Sequence, residues 1–249
     1  MWFFALALRP PESAFQYPPT LIFKPTLEQF NFILVEPGNS LLQLFNSVFI
    51  SVSATLIYLP LSFLAAYALS RFRIRGKQII LGWYLGLLMG PVVVFLIPYF
   101  ILMNNLGIAG SKLSLILVLQ VITIPFSIWL LKSFLDELPL EIEEAAQIDG
   151  AGTWKILSAI TIPLCRPGII ITTMFAFVFT WNNVIFPIIL ANSDSATLQI
   201  GVFSFFSSSG AQWGVIAAIS SIAIIIPMLI FLSLDKYVVR GLTFGSVKG

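Results

Sequence analysis

Long stretches almost free of charge dominate this chain: roughly Leu41–Ser70, Ile79–Met103, Leu113–Leu135 and Gly168–Ala191, with a fifth from about Val215 to Leu234. A helix that crosses a bilayer needs about 20 mostly apolar residues, so each stretch is long enough to cross. Where there is no water, the backbone must satisfy its own polar groups, and helices do this within one segment. None of the stretches has a carboxylate in its interior, and Lys132 lies near an end, where its ammonium can snorkel to the interface. The first stretch exceeds one crossing, so its ends extend past the hydrocarbon. Composition agrees, with 58% hydrophobic and 10% charged residues over 249 and a mean hydropathy of +0.98. A soluble domain carries about 25% charged residues. The expected fold class is therefore all-α, a polytopic membrane protein with five full transmembrane helices and lipid as its first partner.

The opening "MWFFALAL" is apolar but too short to cross, "RPPE" follows at once, and no basic run of a signal peptide precedes it. It reads as the end of a sixth, N-terminal helix followed by an external, periplasmic loop up to about residue 40, which leaves 41–249 as the transmembrane domain. Prolines in or near the stretches (Pro60, Pro91, Pro98, Pro125, Pro187, Pro227) predict bent helices.

Lysine and arginine set the orientation. "RFRIRGK" (Arg71–Lys77) follows the first full stretch, Asn104–Lys112 holds one lysine, and Asn192–Gly214 holds none. If Arg71–Lys77 is cytoplasmic, so are the segment at about 136–168 and the C-terminus, and ten of the thirteen basic residues lie on that side.

Several chemistries are excluded. Ion-coupled carriers keep ionisable groups at mid-depth, and these stretches have none. No GxxxxGK[ST] phosphate loop occurs, so ATP is not bound in that manner. With no histidine and one cysteine, Cys165, there is no Ser–His or Cys–His pair, no disulfide framework and no zinc site to expect. A net charge of +2 gives no reason to expect a nucleic-acid partner. The chain reads as a non-enzyme without a cofactor of its own. Any uphill transport takes its energy from another polypeptide.

Against this background the segment "LPLEIEEAAQIDGAGTWKILSAITIPLCRPG" (Leu138–Gly168) stands out, because four of the eleven acidic residues fall between Glu141 and Asp149. "LEIEEAAQI" consists mostly of good helix formers. Pro139 is tolerated at its start, and Glu141 and Glu143 suit the positive end of the helix dipole. Ile142, Ala145, Ala146 and Asp149 fall on one side, a narrow stripe that a second surface can approach closely, and Glu144 lies beside it. Gly150 ends the helix, Thr153 is placed to cap a second one, and Pro163 and Pro167 turn the chain back toward the bilayer. By pattern alone, the alternative is a solvated amphipathic loop helix.

The spacing E-A-A-x3-G-x9-I-x-L-P is met by Glu144, Ala145, Ala146, Gly150, Ile160 and Pro163, with Ile162 in place of leucine. In this the segment resembles the signature loop of the permease subunits of binding-protein-dependent ABC importers. "NSVFIS" (Asn46–Ser51), "RFRIRGK", "PFSIWLLKSF" (Pro125–Phe134), "TWNNVIFPIIL" (Thr180–Leu190) and "GLTFGSVKG" (Gly241–Gly249) resemble the carbohydrate-uptake, maltose-importer-like branch. The resemblance implies a type I importer permease fold with six spans. It also implies a coupling helix that docks on an ATP-binding subunit through Glu144, Ala145, Ala146 and Gly150. The implied partners are a second related permease, two ATP-binding subunits that bind the ATP, and an external solute-binding protein. Reversing an access equilibrium from 1:99 to 99:1 takes about 5.5 kcal/mol, which closure of ATPases against such a helix can supply.

Two readings stay open for Trp181, Asn182 and Asn183, and with less support for Asn46 and Ser47. They are either a sugar-facing patch of aromatic face and amides, or hydrogen bonds between helices or to the second permease. "RFRIRGK" reads as an orientation signal, and the tail as a segment near the ATPases. The alternatives to an importer subunit are an ATP-independent facilitator and a membrane scaffold that recruits an unrelated partner through the middle helix.

Overall fold

The structure is a computed structural model and describes residues 2–10, 22–35, 40–207 and 210–243. The tail beyond Thr243 and most of the segment between residues 10 and 40 lie outside the described residues. The elements are helices α1 (Trp2–Ala7), α2 (Glu28–Val35), α3 (Ser40–Arg71), α4 (Lys77–Met89), α5 (Val93–Asn105), α6 (Lys112–Asp136), α7 (Leu140–Ile148), α8 (Thr153–Ile156), α9 (Ile162–Leu164), α10 (Arg166–Trp181), α11 (Ile185–Leu190), α12 (Leu198–Ser204) and α13 (Trp213–Thr243). One small antiparallel ribbon pairs Phe206 with Ala211 and Ser207 with Gly210.

Among the described residues three helices are long and apolar enough to cross a membrane: α3, α6 and the Trp213–Leu234 part of α13. Counting each of two bent helix pairs as one span brings the number to five. Neither Ile79–Met103 nor Gly168–Ala191 forms one continuous helix. The first breaks into α4 and α5, which meet at 99°. Pro91 disfavours the helical region for the residue before it, and Gly90 sits at φ −71°, ψ 143°. The second ends at Trp181, and the chain restarts at α11. There Asn183 Oδ1 accepts the backbone N–H of Phe186 at 3.2 Å, so the amide serves as a local cap. The breaks between helices do not fall at the interior prolines. α3, α5, α6 and α13 run through Pro60, Pro98, Pro125 and Pro227. The expected external loop contains α2, whose Gln29 and Ile33 are buried.

The chain divides into two compact units, to both of which α3, α6 and α13 contribute. In the first (Met1–Ser51, Phe95–Val118, Trp181–Ile230), Leu96, Met103, Leu115, Phe186, Leu190 and Ile219 are among the buried residues. Asn46 is wholly buried, and its Nδ2 donates to the carbonyls of Asp194 and Ala196, each at 2.9 Å. Ser47 Oγ accepts the N–H of Leu198 at 2.8 Å. A Cβ on Gly201 would lie 2.0 Å from Gln43 Oε1, so only glycine fits there without a shift.

In the second unit (Val52–Val94, Leu119–Thr180, Phe231–Gly249), Phe63, Ala66, Tyr67 and Leu69 of α3 pack with Ile128, Leu131 and Leu135 of α6 and with Leu157 and Cys165. Phe126 makes edge contacts with Phe175 and Phe179 of α10, and Tyr58 Oη donates to the carbonyl of Thr173. This core carries the segment of interest.

Candidate functional site

Helix α7 is nine residues long. Its end is built as the sequence requires. Gly150 takes φ +85° and donates to the Gln147 carbonyl at 3.0 Å, while Ala151 donates to Ala146 at 2.9 Å. These two bonds form a Schellman cap, whose left-handed residue is usually glycine. The next helix begins at Thr153 with Gly152 in the cap position and no side-chain cap bond, so Thr153 is the first helical residue and does not cap it. After Ile156 the helix widens into a π turn, Leu157–Thr161, before α9. Pro163 has no N–H to give to residue 159, and its ring would crowd that carbonyl in a regular helix. The whole stretch from Thr153 to Leu164 then meets α10 at 74°, at Cys165.

The signature residues divide by exposure. Glu144, Ala145 and Gly150 are exposed; Ala146, Ile160 and Pro163 are half-buried. Ile142 and Asp149 are exposed as well, so the predicted stripe is open along most of its length. Ile148 is 87% exposed and Trp154 73%, which adds apolar surface beside it. The helix thus shows a mixed acidic, small and apolar face that nothing among the described residues covers.

The opposite side is held by a residue that the sequence reading assigned only to the helix dipole. Glu143 is 6% exposed, the one buried residue of α7. Its Oε1 accepts from Arg71 Nε at 3.0 Å and from Thr161 Oγ1 at 3.1 Å, and its Oε2 accepts from Tyr67 Oη at 3.1 Å. Arg71 also donates from Nη2 to the Leu138 carbonyl at 3.4 Å and from Nη1 to Ser70 Oγ at 3.1 Å. Ser70 in turn donates to Asp136 at 2.6 Å, and Asp136 pairs with Lys132. Three elements therefore converge on one carboxylate: the end of α3, the π turn and α7. A buried ion pair adds little net stability, but removing one partner costs about 3–5 kcal/mol, because the other charge is left unpaired. Arg71 is thus more than an orientation signal, whereas Arg73 and Arg75 of the same run are exposed. The two sequence signals for this cluster were the doubled glutamate and a basic residue at the end of a span. Neither alone indicates pairing.

The second set of predicted residues is arranged differently. Trp181 is 1% exposed, and its Nε1 donates to the Ala223 carbonyl at 3.0 Å, a bond between helices. Asn183 caps α11, and Asn182 is exposed. Asn46 and Ser47 bind the 194–198 backbone. These residues are joined by hydrogen bonds within the protein, and Trp181 presents no open face.

Comparison with known proteins adds the relatives. Residues 58–244 match the family described as "Binding-protein-dependent transport system inner membrane component". The chain is 33% identical to the inner membrane ABC transporter permease protein YcjP of Escherichia coli (strain K12), over 82% of this chain and 73% of that protein. It is also 33% identical to the trehalose/maltose transport system permease protein MalG of Thermococcus litoralis, over 93% of this chain and 84% of that one. A crystal structure of a bacterial ABC transporter involved in import of the acidic polysaccharide alginate superposes with a TM-score of 0.79. There the sequences are 21% identical and the match covers 95% of this chain and 88% of that chain. At that identity the likeness speaks for the fold.

Proposed function

Because the chain belongs to the family of binding-protein-dependent transport system inner membrane components, a permease subunit of an ABC importer, we propose that α7 is its coupling helix and that the cargo is a sugar. The observation that carries the coupling assignment is the two-sidedness of α7. Its outer face, with Glu144, Ala145 and the Gly150 turn, is open, while Glu143 ties its inner face to the protein. A helix held from behind and bare in front is built to be pushed.

In this reading an ATP-binding subunit seats on the outer face. Glu144 supplies a charge contact, the alanines allow close approach, and Gly150 makes the turn. Ile160 and Pro163 shape the return into α10. ATP is bound and hydrolysed by two such partner subunits, and this chain is the non-catalytic part. A second related permease completes the pathway, and an external binding protein delivers the solute. The architecture is a type I importer fold in which α3, α4–α5, α6, the α8–α10 return with α11, and α13 act as five spans, α1 belongs to a sixth, and the C-terminus is cytoplasmic. Family membership and the open face favour this over the facilitator and scaffold alternatives. The sugar assignment is supported by the trehalose/maltose relative.

Affinity purification of the tagged chain from its own membranes tests the coupling assignment. The expected result is an ATPase copurifying with the wild type and lost with Glu144→Lys or Gly150→Trp. Full retention of the ATPase and of transport by both variants overturns it. For the cargo, reconstituted complex should accumulate one of a panel of radiolabelled disaccharides, trehalose and maltose included, only with ATP. Uptake without ATP returns the facilitator reading.

A further inference from the structure

We propose that Glu143 is a positioning residue, a buried strut that makes α7 move as one body with the end of α3 and the π turn. The inference rests on the coupling-helix reading and adds to it the path by which a push leaves the helix. α7 is joined to its neighbours through short connections at Glu137–Pro139 and at Asp149–Gly152, the latter with two glycines. Connections of that kind allow a helix to tilt. One side chain opposes the tilt: Glu143 is gripped by Arg71 and Tyr67 of α3 and by Thr161 of the π turn at 3.0–3.1 Å, and both of its oxygens are occupied.

The grip is directional. Arg71 presents its guanidinium as a fork, with Nε on Glu143, Nη1 on Ser70 and Nη2 on the Leu138 carbonyl just before α7. It therefore holds both the helix and the connection leading into it. Through Ser70 the same cluster reaches Asp136 and Lys132 at the end of α6. Below it lies the apolar packing of Tyr67, Leu69, Leu131, Leu135 and Leu157, which is too dense to deform gradually. A displacement applied at Glu144 therefore arrives at α3 and α6 as a movement of their ends. Without the strut it is absorbed by the glycine-flanked connection.

Spin labels on the exposed positions Gln147 of α7 and Leu61 of α3 (Gln147→Cys, Leu61→Cys) in the assembled complex read this directly. The label-to-label distance should be the same without nucleotide and with ADP trapped by vanadate after hydrolysis, while in Glu143→Gln it should broaden and shift when nucleotide binds. Glu143→Gln must still copurify with the ATPase, since the docking face is untouched. Tyr67→Phe with Thr161→Val, which leave the charges in place, should loosen the distance less than Glu143→Gln does. The strut is overturned if the wild-type distance shifts on nucleotide binding, if Glu143→Gln keeps it fixed, or if Glu143→Gln loses the ATPase. In the first two cases the docking assignment stands. That assignment falls on its own if Glu144→Lys retains the ATPase.

Discussion

Two segments that do not cross the membrane are fastened to α3 by opposite means. The α7 segment is held by a buried ion pair, Arg71 with Glu143, supported by two hydroxyl donors. The segment from Asp194 to Gln199 is held by neutral groups, Asn46 and Ser47, mainly through its backbone. The charged clasp leaves neither oxygen of Glu143 unpaired. The neutral one leaves Gln43 Oε1, Asn46 Oδ1 and Thr197 Oγ1 buried without a partner among the described residues. Charge gives a fastening strong enough to carry a load and specific in register, and it comes with an open outer face on α7. The neutral clasp follows the backbone of its segment, as a brace does. In the proposed coupling the difference separates a moving part from a fixed one.

The sharpest way to break the comparison is to cut the charged clasp. Glu143→Ala leaves Arg71 buried and unpaired, which should cost about 3–5 kcal/mol. The expected readouts are a markedly lower melting temperature of the purified protein and faster proteolysis between residues 136 and 168. A loss within about 0.5 kcal/mol, the range of an ordinary surface change, would show that the pair carries no load. Cutting the neutral clasp should do less. Asn46→Ala orphans the carbonyls of Asp194 and Ala196, at about 1–3 kcal/mol. If it costs more than Glu143→Ala in the same melt, the roles of lever and brace are exchanged. Smaller again is Gly150→Ala. A Cβ there meets nothing within 4 Å, so only the left-handed φ of +85° opposes it, at about 1 kcal/mol. The melt should move slightly. A larger drop would mean that the Schellman turn also holds the clasp in register.

Much of this was legible in the residues, for physical reasons that also mark the limit. Apolar runs announce helices because hydrocarbon permits little else, and α3, α6 and α13 fall where the runs lie. Gly150 announced a helix end because few other residues take that backbone. Pro91 carried the information for the α4–α5 break, but a proline in a span is as often tolerated, as Pro125 in α6 is. Asn182 and Asn183 read as polar groups in search of a partner; that Asn183 finds it three residues away is a local competition the composition does not reveal. Glu143 was hidden most completely. Arg71 and Glu143 are 72 residues apart, and only folding brings them within a hydrogen bond. Pattern reading gives the exposed face of a helix more easily than the single buried charge behind it.

The smallest effect on stability belongs to the residue next door. Glu144 is exposed on the free face of α7 and makes no part of the Arg71 clasp. Glu144→Ala should therefore leave the melting temperature within the spread of surface substitutions, about ±0.5 kcal/mol. The same variant should weaken copurification of the ATPase, because the charge it removes is one that the partner meets in the proposed docking. Adjacent glutamates would then separate completely: one kept for the fold, with docking intact when it is made glutamine, and one kept for docking, with the fold intact when it is truncated. If Glu144→Ala instead lowers stability by about as much as Glu143→Ala, the inner and outer faces of α7 are not distinct. A helix without a free face cannot serve as the moving part.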